Sequence, residues 1–245
     1  MKPEYIIPVW PAPKNISCMT TTRNCGYSKG VYKSLNLGIH VDDEEIDVEK
    51  NRQLIKQSLS LPDEPIWLDQ VHGSEVINPL DANNKTISAD GAYTNEVEVV
   101  CVVLTADCLP VLFCDRSGEY IAAVHAGWRG LVGGVLENTL NALPANNTDI
   151  MCWLGPAIGP DRFEVGSEVV EQFIEKLALH KNSFQSQDSS KYLADIYQLA
   201  KNILITSGVK DIYGSKYCTY TQEDKFYSHR REGQTGRMAT LIWKK

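Results

Sequence analysis

Three apolar, β-branched runs follow one another over residues 97–105, 111–114 and 120–125, with no helix-length segment between them. A doubly wound α/β fold places a helix after nearly every strand, so this succession favours an α+β fold with a mixed sheet. Further strand-like runs lie at 66–72, 150–154, 211–213 and 238–243, each short and bounded by Gly, Pro, Asn or Asp. Helical periodicity is expected over 47–60, 131–143, 167–179 and 193–207. In the first of these, Val48, Ile55 and Leu59 share a face with Arg52; in the third, Val169, Val170, Phe173 and Leu177 do so. The second carries Gly133 and Gly134 and stops at Pro144. Polar stretches at 81–85, 145–148 and 182–190 are expected as loops, and none is long enough to mark a domain boundary. The expectation is a single α+β domain over 1–245, a mixed β-sheet core flanked by helices.

With 43% hydrophobic and 22% charged residues the chain is ordinary for a soluble globular protein. A net charge of −7 argues against nucleic acid or an anionic membrane as the main partner. No apolar run approaches the roughly 18–20 residues a membrane helix needs, and the first residues show no secretory signal. Seven cysteines, an odd number at irregular spacing, suit reduced thiols in the cytoplasm. Cys101, Cys114 and Cys152 lie in apolar runs and are expected in the core.

Chemistry concentrates in three short stretches, Leu68 to Gly73, Leu104 to Pro110 and Ala123 to Gly130, which carry His72, Cys108 and His125. Two imidazoles and a thiolate suit a zinc ion, and three protein ligands leave a position for water or substrate. Alternation along strands puts Leu68, Gln70 and His72 on one face, and Ile121, Ala123 and His125 on one face. Cys108 precedes Leu109-Pro110, which is expected to interrupt regular pairing. The ligands are 36 and 17 residues apart, with no compact metal motif, so spacing alone leaves two readings open. The three converge as ligands, or each is a separately hydrogen-bonded structural residue.

The glycines of His125-Ala126-Gly127-Trp128-Arg129-Gly130 open a helix-like segment, an arrangement that suits an anion, and Arg129 offers a fork that matches phosphate. A tight turn with a surface arginine is the plainer reading. Asp69 and Asp107 are candidates to orient a ligand imidazole, and equally read as caps or surface charges. Arg23 and Asn36 lie in loop-rich stretches from which they can reach a ligand, although a structured surface loop is the simpler reading. His229, Arg230, Arg231 and Arg237 are read first as solvated or salt-bridged surface, and His40 as a surface residue beside an acidic stretch.

Taken together, Thr21-Thr22-Arg23, Ser34 to Gly38, Asn51-Arg52, Asp69 to Gly73, Thr105 to Cys108, His125 to Gly130, Leu154 to Gly159 and Thr235 to Arg237 resemble the YfiH family. That family has been described both as laccase-domain polyphenol oxidases and as purine nucleoside phosphorylases. The motifs run in order over nearly the whole chain, and Lys191 to Ala200 is most similar to bacterial YfiH. The resemblance implies an α+β fold distantly like cysteine-hydrolase toxins. It implies zinc on His72, Cys108 and His125, which are then also the catalytic residues. Arg23, Asn36, Arg52, Gln70 and Arg129 are the expected substrate-binding residues. The implied reaction is phosphorolysis of adenosine, inosine, guanosine and methylthioadenosine, with adenosine deamination beside it; purine nucleosides and phosphate are the partners. Departures from the family pattern at Cys25, Asp42-Asp43 and His229 fall in loops rather than at the ligands.

Three rivals remain at this level. Cys108 as nucleophile with His125 as base makes a hydrolase, for which peptidoglycan precursors are a substrate linked to relatives. A copper-dependent polyphenol oxidase needs Cu2+ on the same residues, and the chain lacks the many histidines of a multicopper site. A closed structural zinc site calls for a fourth protein ligand, and none is evident.

Overall fold

The computed structural model describes residues 3–81, 88–188 and 190–245. A four-stranded antiparallel sheet runs in the order β1 (Tyr5–Ile6), β2 (Ile16–Thr21), β13 (Met238–Lys244), β5 (Val100–Thr105). A mixed six-stranded sheet is built from β3 (Val76–Ile77), β4 (Gly91–Thr94), β6 (Leu109–Asp115), β7 (Ile121–Ala126), β8 (Ile150–Leu154) and β12 (Asp211–Gly214). Its order is β12-β8-β6-β7-β4-β3, parallel at its two outer pairs and antiparallel between. A small third sheet joins β9 (Glu164–Gly166), β10 (Phe184–Ser186) and β11 (Lys191–Ala194).

The central strands are apolar almost continuously because both of their faces are covered. In β5, Val100, Val102 and Leu104 pack with Ile55 of helix α1 (Glu45–Leu59), while Cys101 and Val103 meet the six-stranded sheet. In β6 and β7, Leu112, Cys114, Ile121 and Ala123 point between the two large sheets. Val111, Phe113, Ala122 and Val124 point the other way, onto the helices α2 (Trp128–Gly133), α3 (Val135–Ala142), α4 (Ser167–Lys176) and α5 (Ile196–Thr206). The layers are therefore helix, sheet, sheet, helices. A short helix, α6 (His229–Glu232), lies ahead of β13 and is capped by Ser228, which accepts the Arg231 N–H. All seven cysteines are unbridged, and Cys101, Cys114 and Cys152 are buried as expected. No helix among the described residues is long and apolar enough to cross a membrane.

Five expectations change. The run 66–72 is no strand; it touches its neighbours through isolated bridges from Ile66 to Cys101 and from Asp69 to Ser88. Between them the Gln70 amide takes the place of backbone, donating to the Leu104 carbonyl at 2.9 Å and accepting its N–H at 2.7 Å. The helix expected at 131–143 starts earlier and breaks at Gly134, whose φ of +94° admits glycine and few other residues. Residues expected to begin the helix at 193 instead finish β11, and Asp195 caps α5 by accepting the Gln198 N–H. The loop expected over 182–190 holds the end of a 3₁₀ turn and β10; Ser189 lies outside the described residues, as do 82–85 of the loop expected at 81–85. Pro110 does not interrupt β6: the ladder to β8 begins one residue later, at Val111, so the missing N–H falls at the strand start.

Candidate functional site

Strand register, rather than sequence spacing, assembles the site. Leu109 pairs with Ala126 and Pro110 with His125, which sets Cys108 beside Gly127 at the end of the space between the two large sheets. His125 continues the Ile121–Ala123 phase, and Cys108 continues the phase of Leu112 and Cys114, so both side chains face the same gap. His72 arrives from the turn after the Gln70 clamp. The ligand atoms of His72, Cys108 and His125 lie within 4.8 Å of one another. The two imidazoles meet edge to face, with ring centroids 4.8 Å apart. His125 is buried, Cys108 half-buried and His72 exposed.

Asp90, just ahead of β4, ties the two histidines together. Its carboxylate accepts the His72 N–H at 3.0 Å, the Gly73 N–H at 2.6 Å and the His125 Nδ1–H at 2.7 Å. Its carbonyl also accepts the His125 N–H at 2.7 Å. His72 has a left-handed backbone, φ +59°, which is unfavourable for a residue with a Cβ, and the two backbone bonds to Asp90 hold that turn. With Nδ1–H engaged, Nε2 of His125 is turned toward Cys108, as in a carboxylate-oriented metal ligand. Burial raises the Asp90 carboxyl, but the His125 bond and charge and the two N–H donors more than offset it and hold it below its usual range.

Cys108 and His125 polarise each other. Burial pushes the thiol up, yet the His125 charge and hydrogen bonds from His125 and His72 bring it down to about 6. Burial lowers the His125 imidazole, and the Cys108 and Asp90 charges more than reverse this, to about 9. In metal-free protein, Cys108 is therefore expected to alkylate with iodoacetamide along a profile rising through pH about 6 and level above it. In a His125→Asn variant the inflection is expected to move up toward an ordinary thiol, about 8.5. Peptide-resolved mass spectrometry checks this; an unshifted inflection would show that His125 does not hold the thiolate.

Gly127 makes room for the cluster. A Cβ there would stand 3.2 Å from Cys108 Sγ, 3.4 Å from His72 Cδ2 and 3.6 Å from His125 Cε1. Its φ of −67° suits any residue, so Gly127→Ala tests the space alone. The variant is expected to bind zinc about tenfold more weakly, with little change in thermal midpoint, because it displaces ligands and leaves the strand pairing intact. Competitive zinc titration beside a thermal melt reads both; wild-type zinc affinity would contradict the account. The soft donor set and this glycine cradle fit one zinc or copper ion.

Two cavities meet at the cluster, and His72, Ala106, Cys108 and His229 line both. The first, about 260 Å³, is walled by Trp128, Ile158, Phe163 and Ile196, with Arg129 and Arg230 at its edge. Arg129 is exposed and lies over the Trp128 ring at 4.4 Å. The second, about 230 Å³, is lined by His40, Thr105 and Arg237.

The residues expected around the site divide. Arg129 and Gln70 line a cavity, although the Gln70 amide is engaged with Leu104. Arg23 pairs with Glu232 at 2.8 Å and lies over the Tyr227 ring, outside both cavities. Arg52 donates twice to the Leu37 carbonyl and stacks on Trp67. Asn36 is fully buried, its Oδ1 accepting the N–H groups of Gly38 and Arg237. Asp69 bonds Ser88. Asp107 accepts from Thr219, Ser228 and the Arg230 N–H, anchoring the segment around α6 rather than an imidazole. His40 is exposed as expected but lines the second cavity, and His229, Arg230 and Arg237 line the cavities rather than remote surface. Asp90 was not anticipated; its only local signal is an Asp-Gly pair ahead of a four-residue strand.

A family model described as multi-copper polyphenol oxidoreductase laccase matches residues 17–245. The purine nucleoside phosphorylase YfiH of Escherichia coli K12 is 49% identical over 240 residues, 98% of each chain. The chain belongs to the laccase-domain YfiH family. The purine nucleoside phosphorylase of Haemophilus influenzae is 48% identical over 98% of this chain and 99% of its own. Among solved structures, Neisseria meningitidis protein NMB0706 superposes with a TM-score of 0.95 at 46% identity, covering 98% of this chain and 99% of that one. YlmD from Geobacillus stearothermophilus superposes with a TM-score of 0.90 at 32% identity, covering 96% and 94%. The family and the α+β, mixed-sheet architecture expected from the sequence thus hold.

Proposed function

We propose that this chain is a zinc-dependent purine nucleoside phosphorylase, taking adenosine, inosine, guanosine and methylthioadenosine with phosphate to free base and (methylthio)ribose 1-phosphate. The observation that carries the reading is the meeting of an aromatic chamber and a cationic chamber at His72, Cys108 and His125. The names of the Escherichia coli and Haemophilus influenzae relatives support it. His72, Cys108 and His125 are the residues that would hold the ion, which when bound supplies Lewis-acid stabilisation of developing negative charge.

The chain's own side chains do the rest. Trp128, Ile158 and Phe163 offer the apolar wall a purine requires. Asp90 keeps the His125 tautomer fixed. Phosphate forms its bond to C1′ as the C1′–N9 bond breaks. The bond pair leaves with the base, and the proton brought by hydrogen phosphate ends on the base nitrogen. Adenosine deamination, with water replacing the C6 amino group and ammonia released, is a second reaction of the same site. Residues 1–245 act as one unit in the cytoplasm, where unbridged cysteines are the rule.

Copper is the second reading of the metal, favoured by the thiolate donor and the family model's description. The decisive experiment is chromatographic product analysis of metal-quantified protein with adenosine or inosine, with and without phosphate. Phosphate-dependent release of free base supports the reading. No turnover by zinc-loaded protein, or oxidation of phenols by copper-loaded protein alone, contradicts it.

A further inference from the structure

Thr105 ends β5 in the phase of Cys101 and Val103, 2% exposed, and its hydroxyl oxygen is buried with no hydrogen-bond partner. Buried hydroxyls are nearly always bonded, so an orphan beside a cavity points to a missing partner. The cavity it lines also holds Arg237 and His40. Arg237 spends Nη1 on the carbonyls of Thr235 and Gly236, at 2.9 and 3.1 Å. Its other guanidinium nitrogens bond nothing, and no carboxylate pairs with it, among the described residues. A half-buried guanidinium whose remaining N–H groups meet no protein acceptor is a ready donor to an anion.

The chain builds this arrangement deliberately in the sense that backbone fixes it. Asn36 Oδ1 accepts the N–H of both Gly38 and Arg237, which locks the Gly38 turn against β13. A Cβ on Gly38 would lie 2.9 Å from Arg237 Cγ and 3.4 Å from His40 Cε1, so His40 and Arg237 share one corner. The aromatic chamber adjoins it, sharing His72, Ala106, Cys108 and His229 in its lining.

We propose that inorganic phosphate binds in the Arg237 chamber, on the Arg237 guanidinium, His40 and the Thr105 hydroxyl, and not on Arg129. This rests on the phosphorylase reading and assigns its co-substrate a seat. Substitution at C1′ brings the nucleophile to one face as the base leaves from the other, and the two chambers supply the two faces. Arg129, stacked on Trp128 at the mouth of the aromatic chamber, then belongs to the nucleoside side.

The test uses zinc-loaded full-length protein and the variants Arg237→Gln, Thr105→Val and Arg129→Ala. Base release yields separate phosphate and nucleoside KM values, and calorimetry with inorganic phosphate yields its Kd. Arg237→Gln is expected to raise phosphate KM and Kd about tenfold or more, with nucleoside KM nearly unchanged. Thr105→Val, which removes an orphan hydroxyl, is expected to raise both phosphate values about threefold without lowering thermal midpoint or zinc content. Arg129→Ala is expected to raise the nucleoside KM. Phosphate Kd unaltered by Arg237→Gln, equal rises in both KM values, or no phosphate binding by the wild type overturns the assignment. Arg237-dependent phosphate binding without nucleoside turnover keeps the anion seat and rejects the phosphorylase reading instead.

Discussion

Replacing Cys108 by alanine is expected to strip zinc from the protein and to lower phosphate-dependent base release by more than the roughly 10–100-fold that loss of a supporting contact costs. The thiolate is the one sulfur donor in the cluster, and the neighbouring imidazoles keep it deprotonated at neutral pH. Without it, two imidazoles remain, too few for a firmly held zinc. The fold should survive, because Cys108 is half-buried at a strand start and the β6–β7 register is set by backbone from Leu109 onward. Elemental analysis gives the metal content and product chromatography the rate. A Cys108→Ala protein with one zinc per chain and a wild-type rate would contradict the proposed site.

Asp90→Asn is expected to weaken both the site and the fold. The carboxylate of Asp90 receives three donors, two backbone N–H groups and the His125 Nδ1–H. An amide has one acceptor oxygen, so its NH₂ must face a donor in either orientation. The left-handed turn at His72 then loses one of its two ties, and the buried His125 loses its counter-charge. Breaking a buried, hydrogen-bonded charge pair costs about 3–5 kcal/mol, and zinc affinity should fall about 10–100-fold. Chemical denaturation and competitive zinc titration measure the two effects. Wild-type stability with wild-type affinity would show that Asp90 supports neither histidine.

The candidate ligands were legible in the sequence because histidine and cysteine are unusual at the ends of apolar runs. Their convergence was not, since it depends on the Leu109–Ala126 register and on the turn pinned by Asp90, neither of which has a local signature. Asn36 and Gln70 stood out as polar residues in patterned loops, and both turn out to clamp backbone: Asn36 holds Arg237 and Gln70 holds Leu104. A side chain that satisfies buried backbone and one that meets a ligand look alike in one dimension. Conversely, Arg237 and His40 read as surface because the cavity that both line, and their nearness to each other, come from the Gly38 turn meeting the residue ahead of β13. The layered α+β architecture was foreshadowed by the apolar runs from 97 to 125, while the three-residue strands β9 and β10 are too short for any periodicity to announce. The split of the helix after Gly127 follows from Gly134, a residue whose left-handed backbone only the structure reveals.

The most direct test of the central claim is a titration of metal-free protein with zinc, following phosphate-dependent release of base from inosine at each step. The account predicts that the rate rises in proportion to bound zinc and stops rising at about one ion per chain, the number three clustered ligands can hold. Full activity in the rigorously metal-free protein, or a rate indifferent to bound zinc, would contradict it.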